Sequence, residues 1–154
     1  MDRQWLTIAS PTTEAMVNPL LAACEGGYVP DSIQIVSNPT VEDAIEPVVP
    51  FLKTAVTEYD GNATIDVHTL TDETAFAEIV EFFRNGIQHS TDELVAVDIT
   101  PGRKFMSAIA FQAGIHYGAD HVFYLLLDSS AFYGQVYPDI PRPAVDLIDF
   151  TEVV

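Results

Sequence analysis

The chain carries one cysteine, Cys24, among 154 residues, which excludes an internal disulfide framework and any zinc site built from several cysteines. Cys24 follows the apolar run Leu20-Leu21-Ala22-Ala23, so a buried core thiol is expected rather than a nucleophile. Positive charge is scarce as well. Lys53 and Lys104 are the only lysines, and 6 Lys+Arg against 23 Asp+Glu leave a formal net charge of −17. Such a surface excludes broad, non-specific attachment to long nucleic acid or to an anionic membrane, both of which need a basic face. No apolar stretch approaches the ~20 residues of a membrane span. The start, Met1 to Trp5, has no basic region leading into an apolar one, so no signal peptide is expected. These absences together point to a soluble, cytoplasmic protein. No G-x-G-x-x-G or Walker loop is present to hold a dinucleotide or nucleoside triphosphate.

What is present is a core-forming composition, 48% hydrophobic and 19% charged, in a chain long enough for one domain. Few lysines and many carboxylates on a packable chain suggest a halophile cytoplasm. In molar salt the Debye length falls to roughly 3 Å, and carboxylate repulsion is screened. Neither a repeat nor a linker interrupts residues 1–154, so a single domain with no effector domain is expected.

Apolar runs alternate with amphipathic stretches. Strands are expected over residues 5–9, 32–36, 63–68, 93–99 and 121–127, with a last one, on the sheet edge, over 144–150. Helices are expected from Thr12 or Thr13 to Cys24, stopped by Gly26-Gly27, and from Val41 to Tyr59. Pro19 predicts a kink or restart in the first, and Pro47 and Pro50 weaken the start of the second. Asp72 opens a third helix, patterned by Phe76, Ile79, Val80, Phe83 and Ile87. A fourth spans residues 103–117, and 128–143 is irregular. This alternation predicts an α/β fold: a Rossmann-like open sheet of about six mostly parallel strands with helices on both faces. Ligands of such sheets bind beyond the carboxyl ends of the strands, at the topological switch point. If the first and fourth strands are neighbours, the loop Ser10-Pro11-Thr12-Thr13 and the loop following Asp98 share one crevice.

The second loop holds the chemistry. Asp98 closes a buried strand, where a carboxylate needs hydrogen bonds. Thr100 offers a hydroxyl, and Gly102 lets a ligand approach the backbone. Arg103 and Lys104 stand at a helix N-terminus, which already favours anions and disfavours cations by a few tenths to ~1 kcal/mol. A phosphate-bearing ligand accounts for that placement. A local Asp98–Arg103 salt bridge with Thr100 capping the helix accounts for it without a ligand, and both readings stay open. His68, His89, His116 and His121 form no ligand pattern with carboxylates, so no metal and no cofactor are expected.

The stretch Val97-Asp98-Ile99-Thr100-Pro101-Gly102-Arg103-Lys104-Phe105-Met106-Ser107-Ala108 resembles the signature of CRISPR-associated Rossmann fold (CARF) domains: a strand-end Asp or Asn, one spacer, Ser or Thr, three spacers, then Arg or Lys. Asp98, Thr100 and Lys104 take those positions, and Met106-Ser107 fits the usual continuation. Residues 113–124 are similar to the helix and strand that follow. Ile8-Ala9-Ser10-Pro11 resembles the first strand and ligand loop, and Asn18-Pro19-Leu20 with Pro30-Asp31-Ser32-Ile33 the next helix and strand. The likeness covers about residues 5 to 127.

The resemblance implies a homodimer that binds a cyclic oligoadenylate, foremost cyclic tetra-adenylate, across its two-fold axis in type III CRISPR signalling. It also implies a metal-independent ring nuclease, in which Lys104 holds a phosphate and Ser10 positions the attacking ribose. Pro11, Thr12, Thr13, Asp98, Thr100, Gly102, Arg103 and Met106 are the implied ligand contacts. Aromatic residues after Asp128 are candidates to cover adenines. Two alternatives stand beside it: a non-catalytic sensor working with a separate effector, and an unrelated nucleotide-binding Rossmann-like domain. Arg84 and His89 match the R-x-x-x-x-H spacing of HEPN ribonucleases, but on an expected Rossmann helix the match reads as coincidence.

Overall fold

A computed structural model describes residues 2–89 and 92–154; Met1, Ser90 and Thr91 lie outside the described residues. Six strands form one sheet: β1 (Asp2–Ile8), β2 (Ser32–Ser37), β3 (Thr64–Thr69), β4 (Glu93–Asp98), β5 (His121–Leu127) and β6 (Val145–Asp149). Their spatial order is β3-β2-β1-β4-β5-β6. Every pairing is parallel except β5 with β6, which is antiparallel and ends the sheet on one edge. The helices are α1 (Thr13–Glu25), α2 (Glu42–Ile45), α3 (Val49–Thr57), α4 (Phe76–Gln88) and α5 (Lys104–His116). Among the described residues no helix is long and apolar enough to cross a membrane.

Alternation along the central strands fills both faces, as expected for parallel strands covered on two sides. Trp5, Ile33 and Ile35 pack with Met16 and Leu20 of α1 and Leu52 and Val56 of α3. Leu6, Ile8 and Val36 pack on the opposite face with Ile79 and Phe83 of α4 and Met106 and Ala110 of α5. Cys24 is buried in the first of these clusters, and burial pushes its thiol up to about 12. It is the inert core thiol that its apolar neighbours predict.

The expected elements are all present, with four shifts. β1 begins at Asp2 rather than at residue 5, because β4 pairs with it from Glu93 onward. The expected helix over 41–59 is divided into α2 and α3: Pro47 falls in the break, and Pro50 sits in the first turn of α3, where its missing N–H costs nothing. Pro19, by contrast, does not restart α1, which runs through it with Met16, Leu20 and Ala23 buried on the core. Asp72 does not open α4. Its carbonyl accepts from the Ala75 N–H at 3.2 Å and its carboxylate from the Thr74 hydroxyl at 3.0 Å. A turn therefore precedes the helix, and α4 starts at Phe76.

The irregular stretch 128–143 folds into three single 3-10 turns, Ser130–Phe132, Tyr137–Asp139 and Arg142–Ala144. It is docked on α1. The buried Asn18 side chain donates to the Gln135 carbonyl at 2.8 Å and accepts from the Tyr137 N–H at 2.7 Å. Further along α1, Glu25 bonds the Tyr137 hydroxyl and pairs with Arg142 at 3.0 Å, whose guanidinium lies 3.8 Å from the Tyr137 ring centre.

Candidate functional site

β1 and β4 are neighbours, yet their chains leave the sheet on opposite sides. β1 leads to α1 on one face, and β4 leads to α5 on the other. Their loops therefore diverge and leave a crevice at the carboxyl ends of the strands, the switch point of the fold. The N-termini of two 13-residue helices flank it. Neither is capped by a side chain: Thr12 and Arg103 occupy the N-cap positions without a side-chain cap bond. The capping roles expected of Thr12, Thr13 and Thr100 are not taken up, and both helix starts keep their affinity for an anion.

Asp98 is fully buried beneath this crevice. Its carboxylate accepts from the Thr7 hydroxyl at 2.9 Å and from the Thr100 N–H at 3.0 Å. Burial drives its pKa up to about 7, against the pull of the Thr100 and Thr7 hydrogen bonds. Thr100 in turn accepts from the Leu125 N–H at 3.0 Å. Asp98 and Thr100 thus tie β1, β4 and β5 together at their carboxyl ends. The alternative of an Asp98–Arg103 salt bridge is overturned, since Arg103 pairs instead with Glu73.

Gly102 has φ +90°, and a Cβ there would lie 2.5 Å from Cγ2 of Ile8. The positive φ and the packing of the loop on the end of β1 are enough by themselves to require a glycine here. Met106 is 2% exposed within the α4–α5 cluster. Met106 and Asp98 thus support the loop from below rather than line a surface. Ser10 is 7% exposed, and its hydroxyl oxygen accepts from the Thr12 N–H at 3.1 Å. Pro11, Thr12, Gly102, Arg103 and Lys104 are exposed, and Thr13 and Thr100 are half-buried. The Lys104 side chain makes no hydrogen bond or ion pair among the described residues, whereas Arg84, Arg103 and Arg142 are all engaged by glutamates.

On the α1 side the crevice continues into a groove of about 300 Å³. Thr12 and Thr100 bring the two loops to it; Asn18, Tyr124, Tyr133 and Gln135 are further parts of its wall. Sequence reading did not find Asn18 or Glu73 as parts of this region. Their partners, Gln135, Tyr137 and Arg103, are distant in the chain, and no local pattern marks such pairs. The aromatic content of 128–143 was visible, and Phe132 and Tyr133 do line the groove. Among the described residues no group of three or more His, Cys, Asp or Glu is placed to hold a metal. Arg84, of the R-x-x-x-x-H match, pairs with Glu81 on its own helix α4, and His89 lies just past that helix.

No protein-family model matches the sequence, and no curated protein matches it. Solved structures do match the fold. A type III CRISPR defence DNA nuclease activated by cyclic oligoadenylate superposes with a TM-score of 0.60 at 14% identity, over 83% of this chain and 19% of that one. Enterococcus italicus Csm6 bound to cyclic hexa-2′-fluoro-hexa-dAMP superposes with a TM-score of 0.60 at 11% identity, over 85% of this chain and 34% of that one. The chain thus spans about a fifth to a third of the structures it matches. At this identity the likeness concerns the fold alone, a Rossmann-like open sheet of mostly parallel strands.

Proposed function

We propose that the protein binds a cyclic oligoadenylate, foremost cyclic tetra-adenylate, with two copies of the chain placing their switch-point crevices on either side of one ring. The observation that carries this reading is Lys104: an exposed, unpartnered cation at an uncapped helix start, in a protein of net charge −17. A cation left there is unfavourable for the helix, and a phosphodiester reverses the sign of that effect. The groove beside α1, walled by Tyr124 and Tyr133 with the Thr12 and Thr100 loops at its edge, suits a planar base. A two-fold symmetric pair of crevices suits a symmetric ring. The two structural neighbours, one activated by a cyclic oligoadenylate and one bound to a cyclic hexanucleotide analogue, support the ligand class.

The proposed reaction is ring opening without a metal. A ribose 2′-hydroxyl attacks the adjacent phosphorus, the bond to the 5′-oxygen breaks, and a 2′,3′-cyclic phosphate and a 5′-hydroxyl result. The nucleophile lies within the substrate, so alignment supplies much of the acceleration. Lys104 would stabilise the developing phosphorane charge, and Ser10 would orient the ribose. One observation favours binding without turnover: the Ser10 hydroxyl is nearly buried and already engaged in its own turn. In that second reading the protein holds the ring for a separate effector.

Purified protein incubated in molar KCl with cyclic tetra- and hexa-adenylate, followed by mass spectrometry, separates these outcomes. Linear products ending in 2′,3′-cyclic phosphate, reduced about 100-fold or more in Lys104→Ala, are expected. A ring recovered intact from two protomers selects the second reading. Binding of neither ring returns the protein to the broader class of nucleotide-binding Rossmann-like domains.

A further inference from the structure

The loop between β3 and α4 reaches across to the start of α5 and neutralises half of its positive charge. Glu73, on that loop, forms an ion pair with Arg103; the two side chains are 22% and 66% exposed. The loop is braced on both sides. The Thr40 hydroxyl contacts the second Glu73 oxygen at 3.5 Å, and the Thr71 N–H and hydroxyl both donate to Glu78 Oε1, at 3.2 and 3.0 Å. Arg103 also lies over the Phe105 ring at 5.1 Å, and Phe105 meets Phe76 edge-on at 5.4 Å. The guanidinium is thereby held toward Glu73 while its neighbour Lys104 stays free.

We propose that Glu73 is a built-in competitor that lowers the affinity of this site for a phosphodiester anion and so sets the concentration at which ligand is captured. A carboxylate and a phosphate present the same paired oxygens to a guanidinium. An exposed pair of this kind is weak enough to be exchanged for a phosphate. Binding at the crevice then proceeds in two stages. Lys104 receives the anion first, and Arg103 joins it by leaving Glu73, which returns to solvent as a free carboxylate. The inference rests on the cyclic oligoadenylate reading of the site.

The test is titration of the full chain with cyclic tetra-adenylate and cyclic hexa-adenylate in dilute buffer and in 1 M KCl. Glu73→Gln keeps the shape and the contact with Thr40 but removes the charge, and it should tighten binding 3- to 10-fold in dilute buffer and under 2-fold in 1 M KCl. In an Arg103→Ala background the same substitution should gain under 2-fold. Asp72→Asn, which removes a neighbouring carboxylate bonded to Thr74 rather than to Arg103, should also gain under 2-fold. Wild-type binding left unchanged or weakened by Glu73→Gln overturns the competitor while leaving the ring reading intact. An equal gain from Asp72→Asn also overturns it, since the effect is then general charge. A protein in which neither wild type nor any variant binds either ring overturns the ring reading, and the competitor with it.

Discussion

The Asp98 carboxyl joins the end of β4 to Thr7 of β1 and to the Thr100 N–H, whose own hydroxyl carries the link on to β5, and its protonation follows from its burial. The folded protein holds that proton up to about pH 7, whereas an unfolded chain releases it near 3.8, the ordinary value for an aspartate. The native state therefore binds more protons between these values. Its contribution to stability is fully present below about pH 4 and is lost as pH rises through about 7. Acidification also relieves repulsion among the other carboxylates, so the contribution must be read by difference. Asp98→Asn keeps an acceptor for the Thr100 N–H and stays neutral throughout. Urea unfolding in molar KCl should show the variant gaining about 1–3 kcal/mol relative to wild type between pH 5 and pH 8. Parallel pH profiles would remove the carboxyl from the account. The sequence showed that a carboxylate closed a buried strand and would need partners. It did not show that Thr7, from β1, supplies one of them, because that contact depends on the pairing of β1 with β4.

At the scale of elements, the groove owes its outer wall to a segment with little regular structure. Asn18 joins that segment to α1 through two buried hydrogen bonds, and Glu25 joins it again near the other end of the helix. Asn18→Ala leaves the Tyr137 N–H without its partner, at a cost of about 1–3 kcal/mol. Amide exchange should speed up across residues 130–140 in this variant while β1 and β4 keep their protection; unchanged exchange there would show that the Glu25 contacts hold the segment alone. Most element positions were legible from period and punctuation. β5 falls on residues 121–127 as its apolar run predicts, and Gly26 ends α1. The misplacements have two causes, burial of a whole helix in one case and a local turn in the other. Pro19 is carried within a helix whose other residues are buried, and Asp72 spends its bonding capacity on a turn.

For the whole molecule, the charge balance governs how an anion reaches the crevice. The formal charge of −17 repels a polyanion at distances well beyond contact. Salt screens that long-range field before it weakens Lys104 against a phosphate at contact distance. Affinity for cyclic tetra-adenylate should therefore rise severalfold from dilute buffer to about 1 M KCl, against the fall expected of a basic phosphate-binding protein. The urea midpoint should rise over the same range. A monotonic loss of both with salt would contradict this reading of the charge balance.

Composition and spacing by themselves determined the class of fold, the succession of strands and helices, the buried thiol and the loop that carries two adjacent cations. Each of these depends on residues near one another in the chain, through hydrophobic period, turn chemistry and the identity of two adjacent cations. The tertiary structure decided which of those cations is free. Glu73 lies 30 residues before Arg103, and only the parallel stacking of β3, β2, β1 and β4 carries its loop to the start of α5. It likewise decided why Gly102 must be glycine, since the side chain that excludes a Cβ belongs to β1. Such contacts arise from packing between distant segments, and local sequence holds no record of them.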